Sequence, residues 1–291
     1  EPNVGSLLGR VLQRHEVRLT GALLIVVLLA ALFDRQHLYW HNPAESAKEI
    51  IRYTSFLGIF ALGSAIVIIA GGIDLSSGSM IALGGTTCAS LMLLLDPEGM
   101  SGDRPVHFWV YIVGVGGALF VGFLVGSLHA WLITVVRLPP FIATLATLVG
   151  LRSLARALIE RVQVAVIGSP STRIEITDER FRVLKSFDDT YFPIPLVLLL
   201  VLSFLTWLLM SRTVTGRHLY AMGGNEQAAR LSGIRTDELK WLAYVLSAML
   251  SALAGVLAIC DQAAAEPQSL GLGYELNAIA AAVVGGCSLQ G

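Results

Sequence analysis

Few side chains in this 291-residue sequence stand where bond-making chemistry could begin. A metal ion needs several converging ligands. His37 and His41 are four apart, but they sit in a proline-interrupted loop with no third ligand beside them, so no metal site is expected. Cys88, Cys260 and Cys287 lie far apart, each in or at the edge of an apolar run. That spacing reads as apolar thiols, not as a disulfide framework. His129, inside another apolar run, reads as a helix-packing imidazole. No G-x-x-x-x-G-K followed by Ser or Thr occurs, so the chain carries no phosphate loop of its own. Gly223-Gly224 follows no strand pattern, which excludes a dinucleotide fingerprint. No nucleophile–base pair is apparent, and the expectation is a protein without catalytic residues or cofactor.

What remains is non-covalent chemistry in short polar motifs between apolar runs. In IAGGIDLSSGS, residues 69–79, Gly71 and Gly72 can take positive φ and end a helix, while Asp74, Ser76 or Ser77 can cap the next one. The motif is a capped turn at a membrane face, or it lines a pathway, since non-helical backbone at membrane depth survives only against protein or water. VVGGCSLQG, residues 283–291, repeats the layout with Gly285 and Gly286 and suggests two related halves. In RLPPFIATLATL, residues 137–148, the prolines suit a helix start, and Thr144 and Thr147 can hydrogen-bond across helices.

The most polar motif is GGNEQAARLSG, residues 223–233. Asn225 is a strong N-cap, Glu226 lies in a first turn that favours an acid, and Gly233 suits the residue after a helix. So short a helix is unstable alone and must pack on something. Ala228, Ala229 and Leu231 give it an apolar strip, with Arg217, Arg230 and Arg235 around it. Two readings stay open: a linker lying on the bilayer, or a docking helix for a separate protein.

The elements that hold these motifs follow from composition. Hydrophobic residues make up 55% of the chain and charged ones 14%, and the mean hydropathy is +0.71. Soluble domains carry about 25% charged residues, so the class is membrane. A net charge of −1 offers no field for nucleic acid. Runs long enough to span are 17–33, 53–70, 77–95, 108–136, 141–158, 194–210 and 239–260. An eighth begins near Leu276 and reaches Val284. The fold class is therefore all-α, a polytopic helical membrane protein with about eight visible spans. No cleavage signal follows the arginines at 10, 14 and 18, so the first run reads as a retained span; the missing initial Met suggests trimming. With the N-terminus cytoplasmic, the arginines of 211–238 lie inside, as the positive-inside rule favours. Loop 159–192 then falls outside. Its VQVAVIG and STRIEIT segments alternate in β-branched residues, a weak hairpin signal.

Taken together, GGIDLSSGSMIALGG, RLPPFIATLATLVGLRSLARALIE, GRHLYAMGGNEQAARLSGI and NAIAAAVVGGCSLQG resemble, in this order, the permease subunit of bacterial ABC importers for monosaccharides of the ribose/xylose/arabinose/galactofuranose group. More distantly they are similar to branched-chain amino-acid permeases. The resemblance implies one permease domain over 1–291 in the bacterial inner membrane, with ten helices, so that a C-terminal truncation is expected at Gly291. It implies as partners two cytoplasmic ATP-binding subunits, a second permease copy or paralogue, and a periplasmic or lipid-anchored sugar-binding protein. It makes 211–238 a cytoplasmic coupling loop and 159–192 an extracytoplasmic loop. ATPase docking is carried over to Gly216, Gly223, Gly224, Asn225, Glu226, Ala228, Ala229, Arg230, Ser232 and Gly233. Gly71, Gly72, Asp74, Ser76, Gly285 and Gly286 are pathway or turn candidates. Asn277 and Cys287 depart from the usual pattern and leave the sugar open. Alternatives are a permease for another small polar solute, such as an autoinducer or a branched-chain amino acid, and an ion-coupled secondary transporter.

Overall fold

The computed structural model describes residues 15–34, 42–102, 104–182 and 194–288. Arg10, Arg14, His37, His41, Lys185, Asp188, Asp189 and residues 289–291 lie outside them. The chain divides into two compact units at Ile51. The first contains α1 (His15–Leu32) and the opening turns of α2 (Pro43–Ile69). The second contains the rest of α2, then α3 (Ser77–Leu95), α4 (Pro97–Ser101), α5 (Phe108–Thr134), α6 (Pro140–Ile167), β1 (Ile174–Glu175) and α7 (Glu179–Arg182). It continues with α8 (Ile194–Arg212), α9 (Val214–Gly224), α10 (Glu226–Leu231), α11 (Thr236–Gln262), β2 (Ala264–Ala265) and α12 (Tyr274–Val284). The fold is all-α. Among the described residues, six helices, α2, α3, α5, α6, α8 and α11, are long and apolar enough to cross a membrane.

Helix α3 is the hub, buried over nearly its whole length and packed on α11, α5 and α6. Lipid offers no hydrophobic drive between helices, so close backbone contact has to hold them together. Gly122 and Gly126, four apart on α5, press on the α11 backbone at Met249 and Val245, where a Cβ would come within 2.9 and 2.5 Å of it. Gly255 of α11 leaves no room for a Cβ beside the Ile81 carbonyl of α3. On α8, by contrast, Leu200, Val201, Phe204, Leu205 and Trp207 are bare, as a lipid-facing helix should be.

Chain ends follow local rules. Pro140 opens α6, as the double proline predicts, but α6 runs on to Ile167 and stops at Gly168, whose φ is 81°. VQVAVI is therefore its last turns and not a strand. The expected hairpin does not form; Ile174 and Glu175 pair instead with Ala265 and Ala264. Tertiary packing overrides the β-branched pattern here. The eighth apolar run is also shorter than a span. Helix α12 has 11 residues, about 16 Å of rise. It follows an irregular stretch, 266–273, in which Gly271 and Gly273 take φ of 66° and 77°. That stretch dips into the bundle: Arg152 of α6 donates from Nη1 to the carbonyls of Pro267 and Leu270 at 2.7 and 3.0 Å, and Gly271 presses on the Gly78 carbonyl of α3. Irregular backbone at this depth survives because protein satisfies it. The Gly-Gly stops of α2 and α12 share one motif in shifted register, since the left-handed residue is the first glycine of one pair, Gly71, and the second of the other, Gly286. The echo between them is a common helix stop.

Contacts between loops define two ends of the bundle. At one, Asp96 is buried and accepts from the Gly99 amide, from Arg104 Nη2 at 2.6 Å and from the His107 amide at 3.1 Å; His107 Nδ1 lies 2.9 Å away. Burial alone would raise this carboxyl, but hydrogen bonds from His107, Arg104 and Gly99 outweigh it and hold it well below the usual carboxylate range. At the same end, the Asp178 carboxylate accepts from the Val106 amide and the Tyr111 hydroxyl, and Thr177 bonds the Met100 carbonyl. This end carries the β1–β2 ladder. The other end carries the polar motifs.

Candidate functional site

At that second end, Ile69 finishes α2 and the chain turns through 70–76 into α3. Asp74 is 2% exposed. Its Oδ1 accepts from the Ser76 amide and hydroxyl at 2.9 and 2.6 Å, and its Oδ2 accepts from Ser247 Oγ of α11 at 2.8 Å. Ser76 occupies the cap position of α3 without a side-chain cap bond of its own, so Asp74 organises the turn. The Ile73 carbonyl lies 3.4 Å from both Thr144 Oγ1 of α6 and the Tyr244 hydroxyl of α11. His129 of α5 meets Thr147 Oγ1 through Nε2 at 2.7 Å and lies edge-on to Tyr244. Thr144 and Thr147 thus link helices as their sequence suggests, and the 70–76 turn is tied to α6 and α11 at once.

The segment 213–233 rests directly on this turn. Helix α9 starts at Thr213, whose Oγ1 accepts from the Gly216 amide at 3.1 Å; a Cβ on Gly216 would meet the end of α8. Its far end lies on α2 so closely that a Cβ on Gly223 would stand 1.9 Å from the Ile69 carbonyl oxygen, and Gly71 faces the Gly223 backbone. Between them lies a cavity of about 340 Å³ walled by Gly72, Met222, Asn225, Lys240 and Tyr244. Asn225 then caps α10 by accepting from the Ala228 amide at 2.9 Å, and Gly233 ends it at φ 83°. Ala229 is buried against the bundle. Glu226 pairs with Lys240 at 2.6 Å, while Arg230 pairs with Asp237 and donates to Thr236, both at 2.8 Å. Two charged clips therefore fasten a two-turn helix to the first turns of α11.

The ten residues assigned to docking sort by this geometry. Gly216, Gly223 and Ala229 face inward and set the seating of the segment; Asn225, Glu226, Arg230 and Gly233 shape and clip it; Gly224, Ala228 and Ser232 lie on its open side. Sequence reasoning placed Leu231 only in an apolar strip. It is 89% exposed, the barest large apolar residue among those described. It stands bare on the outer side of the clipped helix. Tyr220, also exposed, stands on the preceding helix, α9. The turn that holds Gly71, Gly72, Asp74 and Ser76 meets the end of α9. Gly285 and Gly286 end α12.

Residues 46–291 match the family described as branched-chain amino acid transport system / permease component. The ribose import permease protein RbsC of Escherichia coli K12 is 34% identical over 271 residues, covering 93% of this chain and 77% of the relative. Its namesake in Haemophilus influenzae is 31% identical over 271 residues, with 93% and 76% covered. The galactofuranose transporter permease protein YtfT of E. coli K12 is 30% identical over 276 residues, with 93% and 74% covered. No solved structure matches the chain.

Proposed function

We propose a function from one established premise: this chain belongs to the family of branched-chain amino acid transport system permease components. It is the transmembrane permease subunit of an ABC importer that carries a monosaccharide across the bacterial inner membrane. It works without an ATP site of its own. Two cytoplasmic ATPase subunits, a second permease copy or paralogue and an extracytoplasmic sugar-binding protein complete the machine. The sugar assignment draws on the ribose and galactofuranose permeases it resembles.

The observation that carries the mechanism is the seating of α10. Gly224, Ala228, Leu231 and Ser232 face outward, while the end of α9 sits on the 70–76 turn through Gly223 and Gly71 and α10 packs inward through Ala229. The ATPase docks on the outer face, from the cytoplasm. When the ATPase moves, α9 and α10 press on the stop of α2 and on the start of α11. Asp74 and Ser247 pass that displacement between α2, α3 and α11 as one block. The binding energy of ATP is thereby spent on shifting the bundle between outward-open and inward-open populations. No bond is made or broken in the membrane.

The test is uptake of labelled D-ribose and D-galactose by cells holding the permease, its neighbouring ATPase and its binding protein, compared with cells lacking the ATPase. Uptake requiring all three is expected. Gradient-driven uptake that persists without the ATPase would instead establish an ion-coupled carrier. Leu231→Ser tests docking: the protein should fold as before, and ATPase co-purification and uptake should fall at least tenfold. Normal co-purification would remove α10 from the interface.

A further inference from the structure

A cavity of about 100 Å³ lies at the end of the bundle away from α10, beside the break between α11 and α12. One wall is aromatic. Tyr274, the first residue of α12, stacks on the buried Phe60 with ring centroids 5.9 Å apart and planes 2° from parallel. Phe56 stands edge-on to both rings, at 5.4 and 5.5 Å. The opposite wall is polar. Arg52 Nη1 lies 2.8 Å from Asp261 Oδ1, with the two side chains 19% and 31% exposed, and Gln262 is next to them. The arginine also lies over the Tyr53 ring, 5.4 Å from its centroid.

We propose that this cavity is a sugar subsite, holding a neutral polyhydroxylated ring against Phe56 and Tyr274 with its hydroxyls on Arg52, Asp261 and Gln262. The inference rests on the import reading above. A guanidinium, a carboxylate and a carboxamide together offer both donors and acceptors, which is what vicinal hydroxyls require. An aromatic ring takes the apolar C–H face of a sugar. The cation and the anion already neutralise each other, which disfavours a charged or zwitterionic solute. The space holds several water-sized groups, and a sugar's hydroxyls would replace them. Location agrees with the chemistry. The cavity stands beside a break in the chain, where Tyr274 opens a half-length helix after the dipping stretch 266–273. Helix α11 rises about 30–36 Å between Asp261 and the clip residues Lys240 and Asp237 that hold α10, so one rigid rod joins this cavity to the docking helix.

The experiment uses the complete importer in membranes, in a Cys287→Ser background, with Tyr53→Cys placed at the rim of the cavity. Alkylation of that cysteine by a small maleimide is timed with D-ribose, D-galactose or leucine present, and uptake is measured alongside. A sugar should slow alkylation at least threefold, and leucine should not. Tyr274→Leu should abolish the protection and reduce uptake at least tenfold, with ATPase co-purification separating loss of the site from loss of the fold. Protection by sugar in an importer that transports no sugar keeps the subsite and overturns the import reading. Sugar uptake with no protection, and with Tyr274→Leu transporting normally, overturns the subsite alone. Protection by leucine in place of sugar overturns the ligand class.

Discussion

Asp74 shows how far a single residue can be read from its neighbours. Its spacing to Ser76 and Ser77 predicts a local turn, and the bonds to Ser76 are there. The bond from Ser247, 173 positions on, has no local signature at all. A buried carboxylate needs every donor it has, because each unmet buried partner costs about 1–3 kcal/mol. Ser247→Ala should therefore lower stability by about 1 kcal/mol, measured by denaturant unfolding in detergent, and should slow uptake by loosening α11 from the turn. Asp74→Asn keeps the shape, and the hydroxyls can rotate to suit it; Asp74→Leu strands three donors and should prevent stable assembly. Equal stability of the leucine and asparagine variants would show that the carboxylate does not organise the turn. Leu231 makes the complementary point. Its identity is plain in the sequence, but its exposure depends on which face of a six-residue helix packs inward, and that is decided by Ala229, Glu226 and Arg230 meeting a distant α11.

At the scale of elements, caps and stops were legible because they are chemistry within four residues, as Asn225 and Gly233 show. Extents were not. The last turns of α6 look like a strand, and α12 looks like a span, because hydropathy does not register what the neighbours are. The paired glycines at the end of α9 give a sharp test of seating. Gly223→Ala forces a methyl into the Ile69 carbonyl and should cost about 1–3 kcal/mol as overpacking. Gly224→Ala meets nothing within 4 Å and should gain up to about 1 kcal/mol of helix propensity. Thermal unfolding of the two variants should move in opposite directions; a shared direction would mean that α9 does not bear on α2. The short element α4 offers a pH test. Asp96 holds its folded pKa below the ordinary 3.8. Its stabilising contribution is thus complete above pH 3.8 and lost as pH falls from there toward the folded value. Asp96→Asn should lower the unfolding temperature at neutral pH and flatten the acid limb. An unchanged profile would show that the Arg104 and His107 contacts contribute nothing.

For the molecule as a whole, the contacts constrain the topology through parity. Between Gly71 and Gly223 the chain makes four long helices, α3, α5, α6 and α8, and these two glycines touch. Between Val106 and Asp178 it makes two, α5 and α6, and these are hydrogen-bonded. Between β1 and β2 it makes two, α8 and α11, and the strands pair. Every such contact joins positions separated by an even number of long helices, as it must if each of them crosses the membrane once. Glu98 and Leu231 are separated by three, α5, α6 and α8, and so belong on opposite sides. Both are exposed, Glu98 at 74% for its side chain. In a Cys287→Ser background, a membrane-impermeant maleimide added to intact cells stripped of their outer membrane should label Glu98→Cys and spare Leu231→Cys. Inverted vesicles should reverse the result. That pattern places α10 in the cytoplasm with the ATPase, and the Arg52–Asp261 cavity on the side from which a binding protein would deliver sugar. Labelling of both cysteines from one side would break the parity, and the direction of import argued from it would fall with it.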